Sequence, residues 1–299
     1  MTSDLEISEF SRRAILRACD QALRRADVAG ILPTPLEEIA CVAGIREIID
    51  MSQIPRDLEM KKPKLLSRIL GALEFGTPTI FVDRHQTGAR MRFTTAHEIG
   101  HFVIPWHDPC HRFDNEGILF QDAGELVDRE ANVAGTHLIF QGRHFFEQAL
   151  SYRVSISAPL VLAAPHGASI HATLRYYVEH HPEPLALYVA GRYQSTEHKL
   201  PIWRSVESPS FRRRFGHLLD RVPQRMLAAA PGERPSLGDI VNAAFTSDEI
   251  PSMSLRILDL DGQPHPYSGE AFFNGLNMFV LFTPRTTVKL GRRVHVEVG

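Results

Sequence analysis

The stretch MRFTTAHEIGHFVI, residues 91–104, carries most of the information about fold and chemistry in this sequence. Its apolar residues recur with a helical period, which predicts one buried helix; they stand at 93, 96, 99, 102 and 103. His97 and His101 lie four residues apart and therefore share a helix face, so both imidazoles can reach one metal ion. Glu98 adjoins the first of them, where it can accept a proton from water. The pattern predicts a zinc site.

A helix that buried two histidines and a glutamate without a ligand would leave polar groups unsatisfied, which favours metal binding over a plain amphipathic helix. Thr94 or Thr95 is the expected start of this helix, because hydroxyl side chains cap helix N-termini.

A catalytic zinc ion needs a third protein ligand, and we expect it from the next helix, GELVDREANVAGTHL. Asp128 lies on the same face as Ala131 and Gly135, small residues that allow two helices to approach closely. Glu130 falls about 200° away by the helical period. Asp128 is therefore the predicted ligand, and Glu125, one turn earlier, is the alternative.

The stretch RMRFTTAHEIGHFVIPWH followed by DREAN resembles the ImmA/IrrE family of metallopeptidases. In that family an RFTxAHExxH helix is followed by a helix of the form ExxAnxFAxxLLMP. The segments LPTPLEEIACVAGI and TIFVD also resemble the part that precedes the motif. The resemblance covers about residues 30–195, with a specific core at 92–141, and implies a peptidase similar to thermolysin with one zinc ion per chain.

Residue by residue, the resemblance assigns two zinc ligands, the catalytic base and the third ligand to His97, His101, Glu98 and Asp128. The family has Glu where this chain has Asp128, and the shorter side chain implies a metal closer to the second helix or a weaker site. AGTHLIFQ replaces FAxxLLMP, which brings His137 and Gln141 to positions that are normally apolar. We expect His137 to be a core or interface histidine with a partner.

The resemblance also implies a substrate class. Several members cleave a helix-turn-helix repressor to switch on genes for mobile-element transfer or for the response to DNA damage. The leading hypothesis is thus a zinc endopeptidase that cuts a regulatory protein, such as a DNA-binding repressor. We expect the substrate backbone to pair beside the strand at 79–83. One alternative is a non-catalytic regulatory or binding module in which Asp128 weakens the metal site. Another is a DNA-binding transcriptional regulator.

The regulator alternative depends on residues 158–180, which resemble a helix-turn-helix. The face that would contact DNA carries Ser169, His171, Thr173 and Arg175 and is poor in Lys and Arg, although phosphate contacts dominate affinity for DNA. This composition favours helix packing over direct DNA binding.

The segment PWHDPCHRF offers a second metal site as an alternative, because His107, Cys110 and His111 are soft ligands at short spacing. The set lacks a fourth ligand and has the composition of a loop. We favour a loop at the rim of the cleft, where His107 or His111 contacts substrate.

The composition argues against several classes of protein. The 299 residues include 33 Lys and Arg against 35 Asp and Glu, and a net charge of -2 argues against a nucleic-acid-coating protein. No apolar run reaches the roughly 18 residues of a membrane span, and the N-terminus is too polar for a signal peptide. We therefore expect a cytoplasmic protein without membrane contact. Its three cysteines lie far apart, which predicts reduced thiols.

The periodicities predict an α+β protein of two domains. Residues 1–200 would form a mostly helical domain with a small N-terminal sheet and a helix-turn-helix-like part at about 143–180, and the family resemblance implies that this domain is a zincin-like peptidase. Residues 201–299 would form a mixed domain rich in antiparallel strands. By analogy with the family, this second domain would serve in sensing or substrate docking, or have no role beyond structure. The oligomeric state is left open.

Overall fold

The computed structural model describes residues 7–51, 70–107, 121–191, 202–218 and 236–285. The chain divides into two compact units. One comprises Met1–Phe145 with Pro165–Ser169, and the other comprises Phe146–Ala164 with Ile170–Gly299.

Four helices of the described chain lie in the first unit, and the last two of them were predicted from their period. They are α1 (Glu9–Arg25), α2 (Leu36–Ala43), α3 (Gly88–Val103) and α4 (Gln121–Phe140). The Ser8 hydroxyl caps α1 by accepting a hydrogen bond from the Ser11 amide. Helix α3 begins six residues before Thr94, so the prediction that Thr94 or Thr95 caps it is wrong. Both threonines lie inside the helix, where the Thr95 hydroxyl donates to the Met91 carbonyl at 3.0 Å.

The small sheet of the first unit has three strands: β1 (Glu47–Asp50), β2 (Gly71–Glu74) and β3 (Thr79–Val82). The short β-branched run GTPTIFVD, residues 76–83, predicts a strand. The structure confirms it as β3, which lies in the centre with β1 parallel on one side and β2 antiparallel on the other. The expectation that a substrate pairs beside 79–83 is therefore wrong, because both edges of β3 are already hydrogen-bonded. Among the described residues, β2 and β1 form the edges.

The second unit contains a five-stranded antiparallel sheet in the order β5-β4-β8-β7-β6. Its strands are β4 (Ala186–Ala190), β5 (Ile202–Glu207), β6 (Ser252–Leu258), β7 (Pro264–Phe273) and β8 (Met278–Pro284). Alternate residues of β6 are buried, as in a strand with one face in the core. The fully buried β4 lies second from one edge, where burial of both faces explains its continuous apolar run.

The other helices within the described residues are short. They are α5 (Arg143–Ala149), α6 (Ser157–Ala163), α7 (Ile170–His180), α8 (Pro209–Phe215) and α9 (Leu237–Ala243). Helix α5 begins in the first unit and ends in the second. Phe211 and Phe215 of α8 pack with Tyr267 of β7 in the core of the second unit.

The predicted α+β class is confirmed, with an antiparallel sheet in the C-terminal part. Strand β4 precedes residue 200, the predicted domain boundary, yet it belongs to the C-terminal sheet. A boundary between independently folding domains at that point stays a prediction. The alternating apolar and polar residues of TVKLGRRVHVEV predict a further strand, which lies outside the described residues. The sequence also predicts a helix at 209–229, but the helix in the structure ends at Phe215 and is followed by Gly216, so the prediction is too long. Residues 219–229 lie outside the described residues. None of the helices in the described ranges has both the length and the apolar character needed to cross a membrane.

Candidate metal centre

Helices α3 and α4 pack against each other through small residues. A Cβ atom on Gly100 would lie 3.0 Å from the Ala131 carbonyl oxygen, and one on Gly135 would lie 2.9 Å from the His97 backbone nitrogen. Distances this short show that backbone meets backbone at both glycines. The close approach brings the side chains of α4 within reach of the HEIGH segment of α3.

Three potential ligand atoms converge between these helices. One atom each from His97, His101 and Asp128 lies within 4.8 Å of the other two. The two Nε2 atoms of the histidines are 3.1 Å apart, and His101 Nε2 lies 3.6 Å from Asp128 Oδ1. The His101 side chain is 4% exposed and that of Asp128 69%, so the cluster is buried on one side and open to solvent on the other.

The ring nitrogen of His97 that points away from the cluster, Nδ1, contacts a residue of α4. His97 Nδ1 lies 3.1 Å from Asn132 Oδ1, and an amide oxygen only accepts, so Nδ1 carries the proton and Nε2 keeps its lone pair. Burial and the neighbouring His101 lower the pKa of His97 to about 4, which keeps the ring neutral. A neutral imidazole with a free Nε2 is the form that binds metals.

Glu98 is buried, with 7% of its surface exposed. A Cβ atom on Gly71 of β2 would lie 2.9 Å from its Oε1, so β2 passes directly over this carboxyl group. Burial and the charge of Asp128 raise the pKa of Glu98 to about 8. A divalent cation nearby would act in the opposite direction, since positive charge favours the carboxylate.

The outer nitrogen of His101 contacts a second buried histidine. His101 Nδ1 lies 3.0 Å from His107 Nδ1, and His107 Nε2 lies 3.0 Å from Glu130 Oε2. The Trp106 indole also donates to Glu130 Oε2, at 2.6 Å. Burial raises the pKa of Glu130, but the hydrogen bonds from His107 and Trp106 outweigh it and leave the pKa below its usual value.

The predicted site residues are distributed as follows. His97, His101 and Asp128 come together, whereas Glu125 is exposed and outside the cluster. The fully buried His107 packs behind His101, so its expected place at the rim of the cleft is wrong. Cys110 and His111 lie outside the described residues. Sequence reasoning missed Asn132, although its spacing of four residues from Asp128 places both on one face of α4.

The two departures from the family pattern on α4 have structural partners. His137 is buried and lies 2.7 Å from Asp20 of α1, which confirms the expectation of a satisfied core histidine. Gln141 follows α4, where its amide donates to the Ile31 carbonyl and the Thr34 hydroxyl and its oxygen accepts from the Gly30 amide. Both side chains fasten the N-terminal segment to α4.

The helix-turn-helix-like segment uses part of its supposed recognition face for packing. Thr173 is completely buried, and Arg175 pairs with Glu179 at 2.8 Å. The His171 ring stacks edge-on against Phe279 of β8, with centroids 5.6 Å apart. These contacts support the helix-packing interpretation.

Two histidines four residues apart, an adjoining buried glutamate and a carboxylate from a second helix form the arrangement of HExxH metallopeptidases. The Peptidase M78 family model, described as the IrrE N-terminal-like domain, matches residues 56–175. This match confirms the predicted resemblance to the ImmA/IrrE family over that segment.

The fold of the chain is similar to that of a solved Mycobacterium tuberculosis transcriptional regulator. The TM-score is 0.54 at 14% sequence identity, with 93% of this chain and 77% of that chain covered. At this identity the likeness concerns the fold alone. None of the curated proteins matches the sequence at a significant level.

Proposed function

We propose that this protein is a zinc-dependent endopeptidase with His97, His101 and Asp128 as metal ligands and Glu98 as catalytic base. The observation that carries the proposal is the convergence of three ligand atoms within 4.8 Å beside a buried glutamate. The match of residues 56–175 to a peptidase family model supports the same chemistry.

The donor set fits zinc. Two atoms bound to a tetrahedral zinc ion at about 2.0–2.1 Å lie roughly 3.3–3.4 Å apart. The separations of 3.1 Å between the histidine Nε2 atoms and 3.6 Å between His101 and Asp128 bracket that value. Two imidazoles and one carboxylate also match the ligands of known catalytic zinc sites, which keep one position open. The exposed side of Asp128 leaves the site accessible for water and substrate.

Zinc, when bound, supplies a Lewis acid that polarises the scissile carbonyl and makes water more acidic. The residues of the chain provide the proton transfers. The Glu98 carboxylate accepts the proton of the attacking water and then delivers it to the leaving amine. Its burial between α3 and β2 excludes bulk water from this exchange.

The outer edge of β2 is the place we propose for the substrate backbone, instead of the β3 edge expected from the sequence. In the described part of the chain β2 pairs only with β3. Gly71 brings this strand next to the Glu98 carboxyl group. An extended peptide added to β2 would therefore run past the base, with its main chain hydrogen-bonded to the strand.

A regulatory protein, such as a DNA-binding repressor, is the proposed substrate class, on the strength of the family resemblance. A cytoplasmic location is part of the same hypothesis.

The direct test is co-expression of the protein with a candidate repressor encoded nearby. We expect one discrete cut with the wild type and none with Glu98→Gln, because an amide cannot accept the proton. Glu125→Gln, a control on the exposed part of α4, should cut normally. Loss of metal by Glu98→Gln, or cutting at the wild-type rate, would contradict the assignment.

A DNA-binding regulator is the second candidate, favoured by the similarity in fold to a protein named a transcriptional regulator. A gel-shift assay at physiological salt distinguishes the two functions. Sequence-selective binding together with an intact repressor would favour the regulator. A non-catalytic binding module would instead leave both DNA and repressor unchanged.

A further inference from the structure

We propose that His107 and Glu130 form a positioning relay that holds His101 in the tautomer and orientation required for metal binding. This inference rests on the proposed metal site. It assigns a role to two buried residues that neither the HExxH pattern nor the third ligand accounts for.

The relay is a line of hydrogen-bonding contacts that leads away from the metal centre. His101 presents Nε2 to the cluster, and its Nδ1 lies 3.0 Å from His107 Nδ1. The opposite nitrogen of His107 lies 3.0 Å from Glu130 Oε2. Trp106 donates to the same oxygen at 2.6 Å and so fixes the carboxylate from a second direction.

The chemistry of the last acceptor determines where the protons lie. A carboxylate only accepts, so His107 donates to Glu130 through Nε2–H. A neutral His107 then has a free lone pair on Nδ1, which accepts a hydrogen bond from His101 Nδ1–H. His101 is left with a lone pair on Nε2, the atom that faces His97 and Asp128. Every donor along the line meets an acceptor, and the result is a ligand ready to bind a cation.

Burial of the relay residues fixes which nitrogen atom carries each proton. His107 is 0% exposed and Glu130 5% exposed, so water cannot substitute for either partner. Reversing the protons would place an N–H group of His101 inside the cluster and leave a buried contact unsatisfied. Hydrogen-bond partners of this kind raise the basicity of a metal-bound histidine, and their loss typically costs 10–100-fold in metal affinity.

Two substitutions of one residue separate positioning from packing. His107→Leu removes both hydrogen bonds, whereas the amide of His107→Gln can still accept from His101 and donate to Glu130. His137→Leu is the control, because it removes another buried, carboxylate-paired histidine away from the cluster. We expect His107→Leu to weaken zinc binding by about 10–100-fold, with His107→Gln and His137→Leu close to the wild type. Zinc affinity is measured by competition with a chromophoric chelator, and the Tm of each metal-free variant reports its folding.

Nitrogen-15 NMR of histidine-labelled, zinc-loaded wild-type protein provides a test that does not depend on a folded variant. The proposal expects His107 to be neutral and protonated on Nε2. Protonation of His107 on Nδ1, or equal zinc affinity of the wild type and His107→Leu, overturns it. If the wild-type protein binds no zinc, the proposed function itself is contradicted. That outcome differs from equal zinc binding by the wild type and His107→Leu, which contradicts only the relay.

Discussion

A Cβ atom on Gly135 of α4 would lie 2.9 Å from the backbone nitrogen of His97 on α3. The two helices therefore touch at the first candidate ligand, and only a glycine fits between them. Asp128 lies two turns earlier on α4. The separation of Asp128 from the two histidines is thus fixed by how closely the helices pack at residue 135.

Gly135→Ala should push the two helices apart. We expect a loss of about 1–3 kcal/mol in the free energy of unfolding, typical of overpacking, and weaker zinc binding. Gly88→Ala is the matched control, since a Cβ there meets nothing within 4 Å. It should leave stability unchanged or raise it slightly, because alanine favours helix. Chemical denaturation measures both, and equal stabilities of the two variants would show that the helices do not touch at Gly135.

Gly71→Ala should disturb the base without removing the metal. The added Cβ would overlap the Thr94 Cγ2 methyl group and lie 2.9 Å from Glu98 Oε1, so both side chains must move. A displacement of about 1 Å can cost roughly 100-fold in rate, so we expect at least a tenfold fall in peptide cleavage with zinc affinity preserved. Gly76→Ala, in the turn between β2 and β3 where a Cβ meets nothing within 4 Å, should keep full activity. Full activity of Gly71→Ala would contradict the placement of β2 over Glu98.

Helical periodicity was sufficient to predict α3, α4 and the pairing of His97, His101 and Asp128, because spacing along a helix fixes which side chains share a face. The strands β1 and β2 were not predicted. Each has only four residues, and its register depends on β3, which is distant in sequence from β1. For the same reason, the sequence did not reveal that β3 is a central strand.

His107 shows a different limit of sequence reasoning. It follows Pro105 in a segment with loop composition, which suggested an exposed position. The chain turns back after α3, with the His107 amide donating to the Ile104 carbonyl, and buries the ring between His101 and Glu130. Only tertiary contacts determine that burial.

The third ligand can be identified by comparing two carboxylates one turn apart on α4. Asp128→Ala removes a direct metal ligand. Loss of a residue that only hydrogen-bonds to a ligand costs up to about 100-fold in metal affinity, so Asp128→Ala should lower zinc affinity by more than that. Glu125→Ala should bind zinc like the wild type, since that exposed side chain is outside the cluster. Chelator competition gives both affinities. The opposite ranking would make Glu125 the ligand.

Glu270 of β7 should make the stability of the protein depend on pH. Burial raises the pKa of its carboxyl group above the ordinary 4.5, although the Ile156 amide donates to it at 2.6 Å. A raised pKa in the folded state means that the stabilising contribution is complete below the ordinary pKa and is lost as the pH rises through the raised value. Glu270→Gln, which keeps an acceptor without the charge, should therefore raise Tm at pH 8 and not at pH 4.

Thermal unfolding at the two pH values measures this difference. Glu249→Gln, which removes an exposed carboxylate of the same unit, serves as the control and should change Tm little at either pH. A lower Tm for Glu270→Gln at pH 8 would mean that the ionised carboxylate stabilises the fold.

The most direct test of the account is the zinc content of purified protein, measured by plasma mass spectrometry after dialysis. We expect one zinc ion per chain in the wild type and none in His101→Ala. We also expect a rise in Tm when zinc is added to the metal-free wild type, because a ligand that binds only the folded state stabilises it. Wild-type protein without zinc, whose Tm does not respond to added zinc, would contradict the central claim that His97, His101 and Asp128 form a metal site.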